Sequence, residues 1–316
     1  VRLRRRGRRG GDATRLRAPP GLAPAPGEVG AVALILWLLA VPLVGAALFV
    51  AVTGLLAAFV FPGGPRRELP APWALRSLGL VTWLVLEWWS SLRVLVAVPF
   101  RSARSRGIGG ELPKDAAPVA LLPGYLENAV TLRVLEHRLA QALGVPVRAF
   151  SPPRYFASLD RLAEDYQRQI EGWLKDLGAR RVALVGHSMG GLLARQLAEC
   201  PPQAEGREGA ASGRLRVAAV VTLATPHQGT ALSPFAPGRN ARQMRRGSGF
   251  LEALNTSQPP RSTRYAGVCS THDNLVVPWT CGLSPRGENH VLRYRGHLSM
   301  LFSRQVVRCI VEQLKT

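Results

Sequence analysis

The sequence predicts an α/β fold, a mostly parallel sheet flanked by helices, preceded by one or two apolar helices. Three observations carry that prediction. From residue 117 onward, short β-branched apolar runs alternate with amphipathic segments of helix length, the pattern that builds a parallel sheet covered on both faces. One of those runs, residues 181–185, breaks into Gly186-His187-Ser188-Met189-Gly190, a G-x-S-x-G turn between a strand and a helix. Residues 29–61 contain 33 positions without one ionisable side chain. That is well beyond the roughly 20 residues needed to cross a hydrocarbon core.

Taken in order, residues 1–28 hold eight arginines among Pro, Gly and Ala, a composition expected to stay disordered. Residues 29–114 form the expected membrane-anchoring region. Its first apolar run carries Pro42 and Gly45, where a kink is expected. The second run, residues 78–100, includes Glu87 and Arg93. Each such charge costs roughly 2.5–3.5 kcal/mol at the centre of a span. Trp83, Trp88 and Trp89 in the same run suit an interfacial helix equally well, so the expectation is one or two spans. Eight arginines precede the first run, three lie between the runs and four basic residues follow the second. With two spans this charge pattern keeps both the N-terminus and the following domain in the cytoplasm; with one span the domain is exported. The expected location is the cytoplasmic (inner) membrane of a bacterium, with the side of the domain left open.

Residues 115–316 form the expected catalytic domain. Residues 118–122 read as a buried strand, and Asn128 as the cap of a helix that Gly144 ends. A strand at 145–150 leads to an amphipathic helix at 159–177 that stops at Gly178. The strand at 181–185 enters the serine turn, and 189–199 is the helix after it. Residues 215–223, 265–269 and 291–294 read as further strands. The stretch 231–264 breaks this rhythm with Arg, Gly, Pro and Ser; it is expected either to cap an acyl pocket or to form a surface loop with a short helix at 249–254.

The serine turn demands its residue types. A tight strand-to-helix turn presents the Ser188 hydroxyl and leaves no room for side chains at Gly186 and Gly190. The Met189 N–H, at the start of the new helix, points at a developing oxyanion. Downstream, Asp273 lies in Ser270-Thr271-His272-Asp273-Asn274 and His297 in Gly296-His297-Leu298-Ser299, each just after a strand-like run. Loops at the carboxyl ends of parallel strands are where such a sheet assembles its site. In the order Ser, Asp, His, the histidine takes the serine proton and returns it to the leaving group while the aspartate holds the ring. His187, His227, His272 and His290 are expected to be structural.

These segments resemble the α/β-hydrolases of the bacterial lipase and esterase type, from about residue 115 to the C-terminus. Leu121-Leu122-Pro123-Gly124-Tyr125 resembles the oxyanion loop of that family, with Pro123 where many relatives have histidine. Ala224-Thr225-Pro226-His227-Gln228-Gly229-Thr230 resembles the segment after the next strand. The resemblance implies an α/β-hydrolase fold, a Ser188-His297-Asp273 triad, oxyanion donors at the Tyr125 and Met189 N–H groups, and a carboxylic ester substrate. Seated at a membrane, such an enzyme is expected to act on lipid-like or small esters. Acyl transfer or thioester hydrolysis on the same scaffold, or an inactive tethered binding scaffold, are the alternatives.

Composition bounds the partners. The net charge of +21 divides almost evenly between residues 1–114 and 115–316, and 38 of the 41 basic residues are arginine. That is a compositional bias spread over the chain rather than a nucleic-acid patch, so no nucleic-acid partner is expected. A basic surface beside an anionic bilayer is the more useful reading. Cys200, Cys269, Cys281 and Cys309 lack metal-ligand spacing, and no H-E-x-x-H occurs, so neither metal nor cofactor is expected. Cys269 and Cys281 flank the Asp273 loop, either as a bridge or as two buried thiols. The oligomeric state is not legible in the sequence.

Overall fold

The computed structural model describes residues 26–60, 73–100, 105–114, 116–201 and 215–315. The Arg-rich stretch expected to be disordered therefore lies outside the described residues, apart from its last three positions. The chain divides into two compact units, Val1–Val41 and Pro42–Thr316. Of the first, the described part is the opening of helix α1 (Pro26–Leu55).

Six parallel strands form one sheet in the order β2-β1-β3-β4-β5-β6. They are β1 (Val119–Leu122), β2 (Val147–Ala149), β3 (Val182–His187), β4 (Val217–Leu223), β5 (Arg264–Ser270) and β6 (Glu288–Leu292). The inner strands β1 and β3 are buried along their whole length. Strands covered on both faces read as continuous apolar runs rather than alternating ones. Helices α4 (Leu159–Asp176) and α5 (Met189–Glu199) bury Leu162, Tyr166, Ile170, Leu192 and Leu197 on one face. Helices α3 (Arg133–Leu143) and α8 (Arg304–Lys315) bury Leu135, Leu139, Val306 and Ile310 on the other. Gly144 and Gly178 take positive φ angles of 68° and 63° and end α3 and α4, as their sequence positions predict.

Two boundaries differ from the sequence reading. Helix α3 starts at Arg133, five residues after Asn128. Asn128 instead closes a turn, its Oδ1 accepting the N–H groups of Val130 and Thr131, the local bonding by which asparagine competes with helix. Strand β6 runs over Glu288–Leu292 rather than 291–294. It is the sheet's last strand, paired only with β5, and a backbone ladder holds its polar first residues. The stretch 231–264 folds into a 3₁₀ turn (Ser233–Phe235) and two short helices, α6 (Arg239–Gln243) and α7 (Gly249–Thr256).

Ahead of the sheet, α1 continues through Pro42 and Gly45 and ends in a wide π-type turn at Leu56–Val60. Helix α2 spans Trp73–Ala97. Residues 40–58 and 77–97 are each long and apolar enough to cross a membrane. Residues 105–114, which the sequence groups with this region, already lie on the sheet, where Ile108 bridges Val147 at the β2 edge.

Candidate active site

Strand β3 delivers Ser188 through a strained turn. Its φ of 51° and ψ of −121° lie where a residue bearing a Cβ is rarely found. The neighbouring close approaches explain both glycines. A Cβ on Gly186 would collide with the Gly190 carbonyl, and one on Gly190 with the carbonyls of Leu122 and Pro123. The Ser188 N–H donates to the Leu223 carbonyl at 2.7 Å, tying the turn to the end of β4.

The loop after β5 carries Asp273 and the loop after β6 carries His297. His297 Nδ1 lies 3.0 Å from both carboxylate oxygens of Asp273. Asp273 Oδ1 also accepts the N–H groups of Leu275 and Val276, which fixes the carboxylate from behind. Ser188, Asp273 and His297 are all buried, and among the described residues the Ser188 hydroxyl has no hydrogen-bond partner. Serine–histidine bonds are often long without substrate and tighten in the reacting complex. Burial pulls the His297 imidazole down, but the charge and hydrogen bond of Asp273, with Glu127 and Glu87 behind it, outweigh burial and leave it above its usual value.

The predicted oxyanion residues flank the serine. Met189 opens α5, where the first N–H groups have no acceptor within the helix. Gly124 lies against Ser188, and its N–H is taken by Glu127 Oε2 at 2.7 Å, whereas the Tyr125 N–H has no acceptor among the described residues. Glu127, which the sequence reading does not single out, anchors this loop through the Gly124 N–H. Its other contact is His187, whose Nδ1 lies 2.9 Å from Glu127 Oε1 while Nε2 lies 3.1 Å from the His297 carbonyl. Both ring nitrogens face oxygen atoms, which fixes the orientation of the ring. Burial raises the Glu127 carboxyl, but His187 and the Gly124 N–H together bring it below its usual value. A carboxylate two residues beyond an oxyanion loop was the signal available in the sequence.

The two short helices of 231–264 border this region. Tyr125 donates its hydroxyl to the Pro237 carbonyl at 2.7 Å, and Asn240 Nδ2 donates to Met189 Sδ at 3.4 Å. His227 is fully buried. Arg195 can only donate, so Nδ1 accepts from it and Nε2–H donates to Thr222. Burial, then the Arg195 charge, holds this imidazole well below its usual value. Cys269 and Cys281 are free and buried rather than bridged, and burial with the nearby Asp273 pushes the Cys269 thiol up to about 12. Among the described residues no group of His, Cys, Asp and Glu is arranged to hold a metal ion.

A model of the alpha/beta hydrolase family matches residues 119–308. Among solved structures, a Bacillus licheniformis lipase in its mature form superposes with a TM-score of 0.53 at 13% identity, covering 66% of this chain and 95% of that one. Aspergillus fumigatus lipase B superposes with a TM-score of 0.53 at 16% identity, covering 66% of this chain and 54% of that one. At such identities the likeness carries the fold. No curated protein matches the sequence.

Proposed function

The chain belongs to the alpha/beta hydrolase family, and on that premise we propose that it is a serine hydrolase, held at a membrane by its apolar helices, that cleaves carboxylic esters of lipid-like substrates. The observation that carries this reading is the Asp273–His297 pair, 3.0 Å apart, behind the strained Ser188 turn, with each group on a loop at a carboxyl end of the same parallel sheet.

In the proposed reaction Ser188 Oγ attacks the acyl carbonyl while His297 Nε2 takes its proton, and Asp273 holds the ring and stabilises the imidazolium. The Met189 and Tyr125 N–H groups receive the oxyanion. His297 then returns the proton to the departing alcohol, leaving an acyl group on Ser188. A water deprotonated by His297 releases the acid. The contacts of Tyr125 with Pro237 and of Met189 with Asn240 support a capping role for residues 231–264, because that stretch touches the side chains of both proposed oxyanion residues.

Membrane association is supported by the outward faces of α1 and α2, where Val44, Leu48, Val52, Val81, Leu84 and Val85 are exposed. Contiguous apolar surface on that scale marks a partner or a bilayer. The test is fluorophosphonate labelling of the full chain in detergent, wild type against Ser188→Ala. Labelling of wild type alone, followed by a chain-length optimum on p-nitrophenyl esters, is expected. No labelling of folded wild type would move an inactive tethered scaffold to the front, and a dominant product with an added alcohol or thiol would turn the reading to acyl transfer.

A further inference from the structure

Helix α2 does not stand away from the catalytic loops. Its contacts run from Gly79, against the Tyr294 ring, to Ala97, whose carbonyl accepts from Asn128 Nδ2 at 3.0 Å. Eighteen residues of helix cover about 27 Å, so the whole span lies along the domain. Three of the loops that carry the candidate site are held this way. Asn128 belongs to the segment after the oxyanion loop. Trp83 Nε1 donates to the His272 carbonyl at 2.9 Å, one residue before Asp273. Glu87, fully buried, reaches the loop after β6, where Oε1 accepts the Leu298 N–H and Oε2 the Ser299 N–H, each at 2.9 Å. Helix α1 adds a fourth tie: Thr53 Oγ1 accepts from Asn274 Nδ2 at 2.8 Å, and Asn274 Oδ1 accepts the His297 N–H at 3.1 Å.

The chemistry of Glu87 fits that place. Leu298 and Ser299 open a 3₁₀ turn (Ser299–Phe302), whose first N–H groups need an outside acceptor. A carboxylate engages two of them at once with one oxygen each, and negative charge is favoured at that end. Gly296, on the other side of His297, is packed so tightly on Glu87 that a Cβ there would collide with the carboxylate. One of the two residues that make α2 a costly membrane span is thus the one that holds the backbone on both sides of His297.

We infer that Glu87 is a positioning residue for His297: from helix α2 it sets the course of the histidine loop, so that catalytic competence depends on the docked apolar helix. This rests on the triad reading above. The groups facing His297 are Asp273 on its own side, Glu127 and the His187 ring from beneath, and Glu87 from α2. Glu87 is the smallest of the charges that hold the imidazole up, so replacing it by glutamine lowers that imidazole only slightly.

The test is steady-state hydrolysis of a short, soluble p-nitrophenyl ester by the full chain in detergent across pH 5–9, for wild type, Ser188→Ala, Glu87→Gln and Gly296→Ala. Glu87→Gln is expected to lower kcat roughly 10- to 100-fold, the scale of a small misplacement of a reacting group. KM should stay within about twofold, since the acyl pocket is untouched. The acid limb of the pH profile should move slightly to lower pH. A merely structural role would reduce the folded fraction and leave kcat per labelled site and the acid limb where they were, and that result in Glu87→Gln would overturn the inference. If Glu87→Gln does not fold, Gly296→Ala decides: it displaces the same carboxylate and must show the same fall in kcat, and a wild-type kcat there overturns the inference. Retained activity in Ser188→Ala would instead remove the triad reading, a separate failure from that of Glu87.

Discussion

Helices α2 and α4 both lie against the sheet domain, and they are built inside out relative to one another. Helix α4 buries Leu162, Tyr166, Ile170 and Trp173 and exposes Asp160, Arg161, Arg168 and Lys175. Helix α2 buries Glu87, Ser90 and Ser91 and exposes Leu80, Val81, Leu84, Val85, Leu95 and Val96. The first is the arrangement water imposes, an apolar stripe toward the core with most of the charge outside, its one buried charge, Asp165, being paired with Arg154 and Arg168. The second suits an apolar surrounding, where polar side chains gain most by turning inward to partners and apolar ones cost nothing outside. Among the described residues, 17 of the 20 exposed large apolar side chains lie between Val41 and Phe100, so the inversion is confined to the helix pair. Within that pair Trp83, Glu87 and Thr53 reach the loops of the candidate site, whereas Ser90 and Ser91 donate back to the Leu86 and Glu87 carbonyls of their own helix.

The comparison can be pressed from three sides. The fastening by α2 is of consequence only if the loops it holds do chemistry, and Asp273→Asn is expected to lower kcat by about 10⁴-fold while leaving the thermal transition nearly unchanged. Steady-state kinetics beside calorimetry checks this, and a Tm collapse in place of a kinetic loss would make Asp273 a structural residue. For α4, Ile170→Ala removes a fully buried side chain and should cost about 2–5 kcal/mol in denaturant unfolding, with kcat per folded molecule intact. The smallest effect on folding is expected from Leu84→Ser on the outer face of α2, within about 0.5 kcal/mol in detergent. Combined with Val81→Ser and Val85→Ser, however, it should visibly weaken co-sedimentation with anionic lipid vesicles. Vesicle binding untouched by that triple change would mean that the outer face of α2 is covered by something other than lipid.

Much of the candidate site's local geometry was legible because strong local constraints write themselves into short motifs. Gly186 and Gly190 are required by the close approach of neighbouring carbonyls, and the strained turn between them presents Ser188. The helix stops at Gly144 and Gly178 likewise follow from local backbone need. Where structure depends on distant partners, the sequence misled or was silent. The first residues of β6 are polar and join the sheet only through the β5 ladder, so no apolar pattern announced them. Asn128 looked like a helix cap and closes a turn, its side chain also reaching Ala97. Glu87 looked like a penalty within an apolar helix because its partners, Leu298 and Ser299, lie more than 200 positions along the chain.

By itself, then, the sequence determined the alternation that makes a parallel sheet, the strained serine turn, the order of Ser188, Asp273 and His297, and the presence of apolar helices ahead of them. These are properties of neighbouring residues: periodicity, backbone conformation and hydropathy act over a turn or a strand. Only the tertiary structure decided that Glu127 holds the Gly124 loop, that His187 bonds the carbonyl of His297, and that α2 lies along the domain with Glu87 at the His297 loop. Hydrogen bonds between side chains and remote backbone depend on where packing brings the chain together, and nothing in the spacing of residues along it records that position.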